Sequence, residues 1–549
     1  MAADRARHGL SRRELLRTIA VAGVGLAAAA CIPVPSAPAA TSSPKRGGTL
    51  TWGQSADSAT IDPALSSGSA GTEIIGNLFD PLVSVDSSGE IRPGLATSWT
   101  IEDDATRYRF TLRDGVKFHD GTAFEADAMK RTLERILDPR TKAAQAATHL
   151  SQIAQIEAPD PRTLVVTMKA PHPLFLLSLW RPWFGPVSPK QLDALQPGDV
   201  IAAPIGTGPY KLAGRSADGV TTLEAFSEYK WGPDLLRNRA APYLASMKLR
   251  SITDASTRVS TLESGENLLV DDLPETDYGR LKDDHRFSFV QVARKGLGLG
   301  FFINVQKPPT DELAVRQALN WAVDRKGIVD KLFFGIHRPA AGPLSEGVWG
   351  RLDDLDNSFT YDPAKAQSLL EGAGWTIGTG GIREKNGQKL TLTLAALAGA
   401  NPQNELAATL QLQYRAIGVE LQIEKLTFNN WLDFTRSYKH HLCDSAGTNF
   451  DPDELRIRYH SSSIKAVNYA NLADPQLDSL LVQGSRQPLG SAERRQTYAD
   501  VQKRLMELLP MVSVITQVRT MAMAKRVHDL VMGPTGLNAQ AMSDLWLDS

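Results

Sequence analysis

From Gly47 onward the apolar positions switch between two periods. Period-two or continuous apolar runs at 49–52, 108–112, 164–168, 287–292, 390–397 and 419–426 predict strands, because side chains on a strand alternate between faces. Helical spacing lies between them. Met129, Leu133, Ile136 and Leu137 share one face, and Tyr498, Val501, Leu505, Leu508 and Leu509 share another. Asp362-Pro363 reads as an N-cap followed by proline at the first helical position, opening a helix over 364–371. Asp114-Gly115 and Asp120-Gly121 mark tight turns. This alternation predicts α/β lobes, and without a sustained short repeat or heptad run it excludes solenoids and coiled coils.

The first 46 residues follow a different pattern. Arg5, Arg7, Arg12, Arg13 and Arg17 lead into an apolar run over 18–30, which meets Cys31. That is the layout of an export signal. The run of 13 residues is shorter than a membrane crossing requires. Ser11-Arg12-Arg13-Glu14-Leu15-Leu16-Arg17 resembles the twin-arginine export motif, with Leu15 where Phe is commonest and Arg17 where Lys is commonest. Ala28-Ala29-Ala30 before Cys31 resembles a lipoprotein processing site, although Ala28 stands where Leu is preferred. Cleavage near Ala40, discarding Cys31, is the alternative. Residues 32–46 carry Pro33, Pro35, Pro38 and Pro44 among Ser and Ala and read as a tether.

Composition narrows the class. At 549 residues the chain is long enough for about three domains, and 42% apolar with 22% charged residues is ordinary for globular proteins. The formal net charge is −1, and without residues 1–30 there are 55 basic against 59 acidic side chains. Nothing there points to nucleic acid. Two cysteines, Cys31 and Cys443, make no disulfide framework, and Cys443 reads as a buried, inert thiol.

Enzyme and metal motifs fail on context. Gly296-Leu297-Gly298-Leu299-Gly300 has the wrong spacing for a dinucleotide loop and runs into a strand-like segment where a helix is required. There is no P-loop, His-Glu-x-x-His, Gly-x-Ser-x-Gly or Cys-x-x-Cys. Ser-x-x-Lys at Ser42, Ser227 and Ser462 lacks its partner motifs. His440-His441 are adjacent, point to different faces, and read as a solvated pair. His119-Asp120 is explained by the turn at Asp120-Gly121. Those enzyme classes lose their usual signatures, and no cofactor, metal or catalytic residue is expected.

Several long motifs occur in an order that carries a resemblance. Gly47-Gly48-Thr49-Leu50, Ile61-Asp62-Pro63-Ala64, Leu95-Ala96-Thr97-Ser98-Trp99 and the stretch from Phe110 to Thr122 come first. Gly206-Thr207-Gly208-Pro209-Tyr210, the stretch from Val315 to Arg325, Tyr361-Asp362-Pro363-Ala364-Lys365-Ala366, Gly374-Trp375 and Asp451-Pro452-Asp453 follow. In this order they resemble the family 5 extracellular solute-binding proteins, receptors of peptide and nickel importers. The resemblance spans nearly the whole chain after the tether.

The resemblance implies an α/β, two-lobed, periplasmic-binding-protein-like type II fold with an additional domain. Its expected divisions are an export signal over 1–31 and a tether over 32–46; lobe I over 47–84, 200–300 and 511–549; the extra domain over 85–199; and lobe II over 301–510. It also implies an extracytoplasmic, lipid-anchored monomer that binds a peptide or peptide-like solute and delivers it to an ABC permease and ATPase. A ligand-presenting sensor and a secreted hydrolase on the same scaffold are the alternatives. The ligand contacts it implies are Gln54, Ser55, Trp349, Asn401, Ser445, Ala446, Gly447, Thr448, Asn449 and Asp451. In peptide receptors a strand-like edge here pairs with the peptide backbone, and an Asp near Thr448 meets the free α-amine. This chain has Thr at that position and Ser445 near the family's usual Trp, which argues against an ordinary free-amine ligand. A slip in register would put Asp444 or Asp451 there instead.

Overall fold

The computed structural model describes residues 43–549 apart from 59, 67–68, 87–88, 400–401, 446, 531, 534, 536–541 and 549. Cys31, the export segment, Asn401 and Ala446 therefore lie outside the described residues.

Two large mixed sheets and one smaller sheet organise the rest. The first large sheet runs, edge to edge, Phe287–Ala293, Val518–Ala524, Leu269–Val270, Thr49–Gln54, Ser246–Ser251, Val220–Ala225 and Tyr210–Arg215. The second runs Arg338–Pro339, Met511–Thr516, Leu299–Ile303, Leu442–Asp444, Thr391–Leu397 and Glu420–Leu426. A four-stranded antiparallel sheet, Ala96–Glu102, Arg107–Leu112, Thr163–Met168 and Ile153–Asp160, belongs to the segment between the first two pieces of the first sheet. The strands expected from period-two runs all form.

Alternation explains the second sheet's two cores. Phe301, Ile303, Leu392, Leu394, Leu442 and Val512 pack into one core with Leu406 and Leu410 of the helix Gln403–Ala416. Phe302, Ala395, Cys443 and Met511, the alternate residues, pack on the other face with Leu455, Tyr459 and Tyr498. Both faces are thus covered, as expected for strands that read as continuous apolar runs. The helix Ala126–Leu137 buries Met129, Leu133 and Ile136 against the small sheet, the face its spacing predicts. The Asp362 side chain accepts from Lys365 N at 2.9 Å with Pro363 at the first turn, so the N-cap reading holds.

Asp62 shows what one of the ordered motifs does. Its fully buried carboxylate receives both Arg135 guanidinium nitrogens, at 3.0 and 2.6 Å, and the Ile201 amide at 2.8 Å. Three distant stretches of chain are thereby fastened together. Residues 511–549 were expected with the first lobe, but Met511–Thr516 pairs with Leu299–Ile303 in the second sheet, and the chain crosses at Gln517.

Candidate functional site

Among the described residues two crossings join the large sheets, residues 294–298 and Gln517. Arg294 N donates to Gln517 O at 2.7 Å and its guanidinium reaches Gln517 Oε1 at 2.7 Å, so the crossings lie side by side. Two α/β units joined by such a paired connection leave a cleft flanking it and hinge about it.

The glycine run of the sequence belongs to this crossing. A Cβ on Gly296, whose φ is +149°, would lie 1.9 Å from Gly447 O, and one on Gly300 would lie 2.0 Å from Val512 O. Close backbone approach, not phosphate binding, accounts for these glycines. Gly447 O accepts from Leu297 N at 3.1 Å, and Asn449 N donates to Lys295 O at 3.0 Å. Residues 447–449 thus form a short antiparallel pair with 295–297, with Thr448 opposite Gly296. In such a ladder alternate residues aim their backbone groups at opposite edges. The N–H and C=O of Thr448 therefore face away from the crossing. Its hydroxyl accepts from the Arg294 guanidinium at 3.1 Å.

The other expected residues separate. Ser445 is fully buried, accepting from Gly300 N at 2.9 Å and donating to Gly298 O at 3.2 Å, so it clamps the crossing. Asn449 Oδ1 accepts from Asp451 N at 3.1 Å, a local turn. Gln54 and Ser55 sit at the carboxyl end of the strand Thr49–Gln54, beside Asp271 and Asp272, which follow the parallel strand Leu269–Val270.

A charge network fills that end of the first sheet. Arg519 donates to Glu73 at 3.1 Å, Asp271 at 2.8 Å and Asp272 at 2.7 Å. Gln54 Nε2 donates to Glu73 at 2.9 Å; Ser55 donates its N–H to Asp271 and its hydroxyl to Asp272, each at 2.6 Å. Burial raises the Glu73 carboxyl against the pull of Arg519. Burial and then the Glu73 charge push Asp271 up to about 8. Burial acts on Asp272 in the same sense, but Arg519 and the Ser55 hydroxyl outweigh it and hold its carboxyl below the ordinary value. Sequence reading missed Glu73, Asp271, Asp272 and Arg519, which no motif links; Arg519 is more than two hundred residues from its aspartate partners. Among the described residues no cluster of His, Cys, Asp and Glu is arranged to hold a metal ion.

Residues 90–466 match the family model described as bacterial extracellular solute-binding proteins, family 5 Middle. The chain belongs to this family. It is 33% identical over 353 residues to the nickel-binding periplasmic protein of Escherichia coli, an alignment covering 63% of this chain and 65% of that protein. It is 29% identical over 491 residues to di/tripeptide-binding protein 1 of Pseudomonas aeruginosa, covering 84% and 87% of the two chains. Among solved structures, DppA of Helicobacter pylori in complex with the peptide STSA superposes with a TM-score of 0.71 at 25% identity, covering 92% of this chain and 99% of that one. NikA of Brucella suis in complex with Fe(III)-EDTA superposes with a TM-score of 0.80 at 24% identity, covering 91% and 100%. The fold is the two-lobed periplasmic-binding-protein architecture of these neighbours.

Two further residues of this family 5 protein lie away from the crossing. Trp349 lines a groove of about 1030 Å³ with Trp99, Ile101 and Leu177 of the small-sheet segment and with Leu489. Its ring lies 5.2 Å from the Arg494 guanidinium and 4.7 Å from that of Arg495. Asp451 is buried and receives Arg494 through two hydrogen bonds of 2.8 and 2.7 Å, so its charge is already met.

The histidine pair corrects the sequence reading: His440 and His441 are buried, not solvated. His440 Nε2 bonds Tyr469 O at 2.9 Å. His441 Nδ1 accepts from Thr393 N at 2.9 Å, and its Nε2 bonds Pro308 O at 3.1 Å. Burial lowers both to about 4, so they are neutral backbone clamps. His119 likewise bridges the Gly206 amide and the Gly208 carbonyl at 3.3 and 3.0 Å. Cys443 is fully buried, and burial raises its thiol well above the ordinary range.

Proposed function

We propose that this chain is the exported solute-binding component of an ABC importer: it closes its two lobes about a peptide or peptide-like solute and presents it to a membrane permease and its ATPase. Cys31, carrying lipid, would tether it to the membrane as a monomer. The division into lobe I, an extra domain and lobe II belongs to the same reading, with the two large sheets as lobe cores and the small sheet as the extra domain.

The observation that carries this reading is the edge at Thr448. One side of the segment 447–449 is paired with the crossing 295–297, and the backbone groups of Thr448 point to the other side. An extended ligand pairing there would add a strand beside the hinge, gaining main-chain hydrogen bonds and coupling occupancy to closure. Arg294, held to Thr448 Oγ1, places a cation where a free amine would otherwise sit. A peptide-like solute with a blocked, neutral or anionic group at this point fits; an ammonium does not.

Small-angle scattering with tetra-alanine in free and N-acetylated forms, alongside the solute that co-purifies from the native host, tests the reading. The radius of gyration is expected to fall on binding, with the solute recovered unchanged. Turnover of the solute, or no closure with any of these, would refute it.

A further inference from the structure

Beside the two crossings, a contact without a covalent link also joins the lobes. The segment 333–337 runs from the helix Arg325–Leu332 to the strand Arg338–Pro339 and belongs to the second lobe. The helix Glu275–Leu281 lies in the chain between Leu269–Val270 and Phe287–Ala293, both strands of the first sheet. These two elements meet at two points. The Phe334 ring lies over Gly279, where an added Cβ would stand 3.2 Å from it. His337 Nε2 stands 3.3 Å from Glu275 Oε1.

Neither side chain is placed as packing within the second lobe alone requires. Phe334 is 47% exposed and takes φ +52°, a left-handed conformation uncommon for a bulky residue. Its neighbour Phe333 is the one that enters the second-lobe core. The side chain of His337 is fully buried, with its ring 4.7 Å from that of Phe333. Its Nδ1 accepts from Val518 N at 3.3 Å, the residue just after the crossing at Gln517, so the ring proton sits on Nε2 and faces Glu275. That N–H is out of line for a hydrogen bond and has no other partner, although buried donors are seldom left unmatched. One imidazole thus touches the second lobe's core, the first lobe's helix and the hinge strand. Glu405, on the helix Gln403–Ala416 of the second lobe, shares this neighbourhood: burial and then the Glu275 charge raise its carboxyl.

We propose that residues 333–337 are a latch: Phe334 and His337 rest on the helix Glu275–Leu281 and hold the lobes together when no solute is bound. Rotation about the crossings moves every contact that lies off their axis, and a contact made in one arrangement shifts the equilibrium toward it. In this structure the rings of Trp180, in the small-sheet segment, and Phe450, in the second lobe, stand 5.5 Å apart, so the latch is made while the lobes are together. A larger closed fraction tightens solute binding in proportion, with no latch residue touching the solute. The latch rests on the solute-binding reading for its use but not for its test.

The test uses the whole exported chain without solute and two measurements: the radius of gyration from small-angle scattering, and amide exchange of the segment containing Val518 by mass spectrometry. Phe334→Gly removes the ring and puts at φ +52° the residue that adopts it freely, so the fold should not weaken. Glu275→Ala removes the carboxylate from a partly exposed position. Both variants should have a larger radius than wild type and exchange the Val518 amide at least about tenfold faster; Glu275→Gln, which keeps an acceptor oxygen, should fall between Glu275→Ala and wild type. An unchanged radius and unchanged Val518 exchange in both Phe334→Gly and Glu275→Ala overturn the latch, as does a wild type already as open as the variants. If Glu275→Ala fails to fold, Phe334→Gly decides alone. Variants that open in a protein whose lobes respond to no solute would sink the receptor reading and leave the latch standing.

Discussion

Asp451→Asn separates a strut from a ligand contact. The Arg494 side chain is 1% exposed and that of Asp451 5%. The guanidinium gives two hydrogen bonds to Asp451, a third to Gly484 O at 3.1 Å, and lies 4.8 Å from the Tyr498 ring. Arginine cannot escape burial by deprotonating. Removing the aspartate charge therefore leaves an uncompensated buried cation, and breaking such a pair costs roughly 3 to 5 kcal/mol. Asn retains one acceptor oxygen, which places the variant near the lower figure. Urea unfolding followed by far-UV circular dichroism should show a midpoint well below that of wild type. The double variant Asp451→Leu/Arg494→Leu should recover most of the loss, because a packed apolar pair replaces a buried ion pair at little cost. If Asp451→Asn unfolds within about 0.5 kcal/mol of wild type and instead loses solute affinity, the carboxylate is a ligand contact and the strut argument is wrong.

Gly296→Ala should cost about 1 to 3 kcal/mol in thermal or chemical denaturation, since its Cβ would meet Gly447 O; solute affinity should fall with it, and unchanged binding would detach the 447–449 segment from the site. Asp444 titrates near 6 when folded and near the ordinary value when unfolded, so between about pH 4 and 6 the folded state holds the extra proton. The stability this group contributes therefore declines as pH rises through that window, by at most about 3 kcal/mol, and Asp444→Asn should flatten that slope in pH-dependent unfolding. An N-acetylated peptide should bind at least as tightly as its free-amine form, and a hundredfold preference for the free amine in calorimetric titration would contradict the role given to Arg294 and Thr448. Cys31→Ala should move the protein from the membrane to the soluble fraction, since stable anchoring takes more than one acyl chain and a single cysteine would carry them all; retention in the membrane pellet would rule out lipid at this residue.

Much of the fold was legible from the chain alone. Period-two runs placed the strands, the Asp362-Pro363 cap opened its helix, and motif order pointed to the two-lobed class, because each is a local consequence of side-chain period, capping chemistry or shared descent. The apolar run Met511–Thr516 shows where that stops. A strand buried on both faces fits either large sheet equally well by pattern, and only its pairing with Leu299–Ile303 assigns it. The site behaves the same way. Sequence named the 445–451 stretch, but Asp451 proved committed to Arg494, 43 residues away, and Ser445 to the glycine crossing. The buried His440 and His441 took their meaning from the backbone of Tyr469, Thr393 and Pro308. Residue identity determines what a carboxylate, hydroxyl or imidazole can donate or accept. Whether a partner already satisfies it depends on groups brought together from distant parts of the chain, and that is decided by tertiary structure.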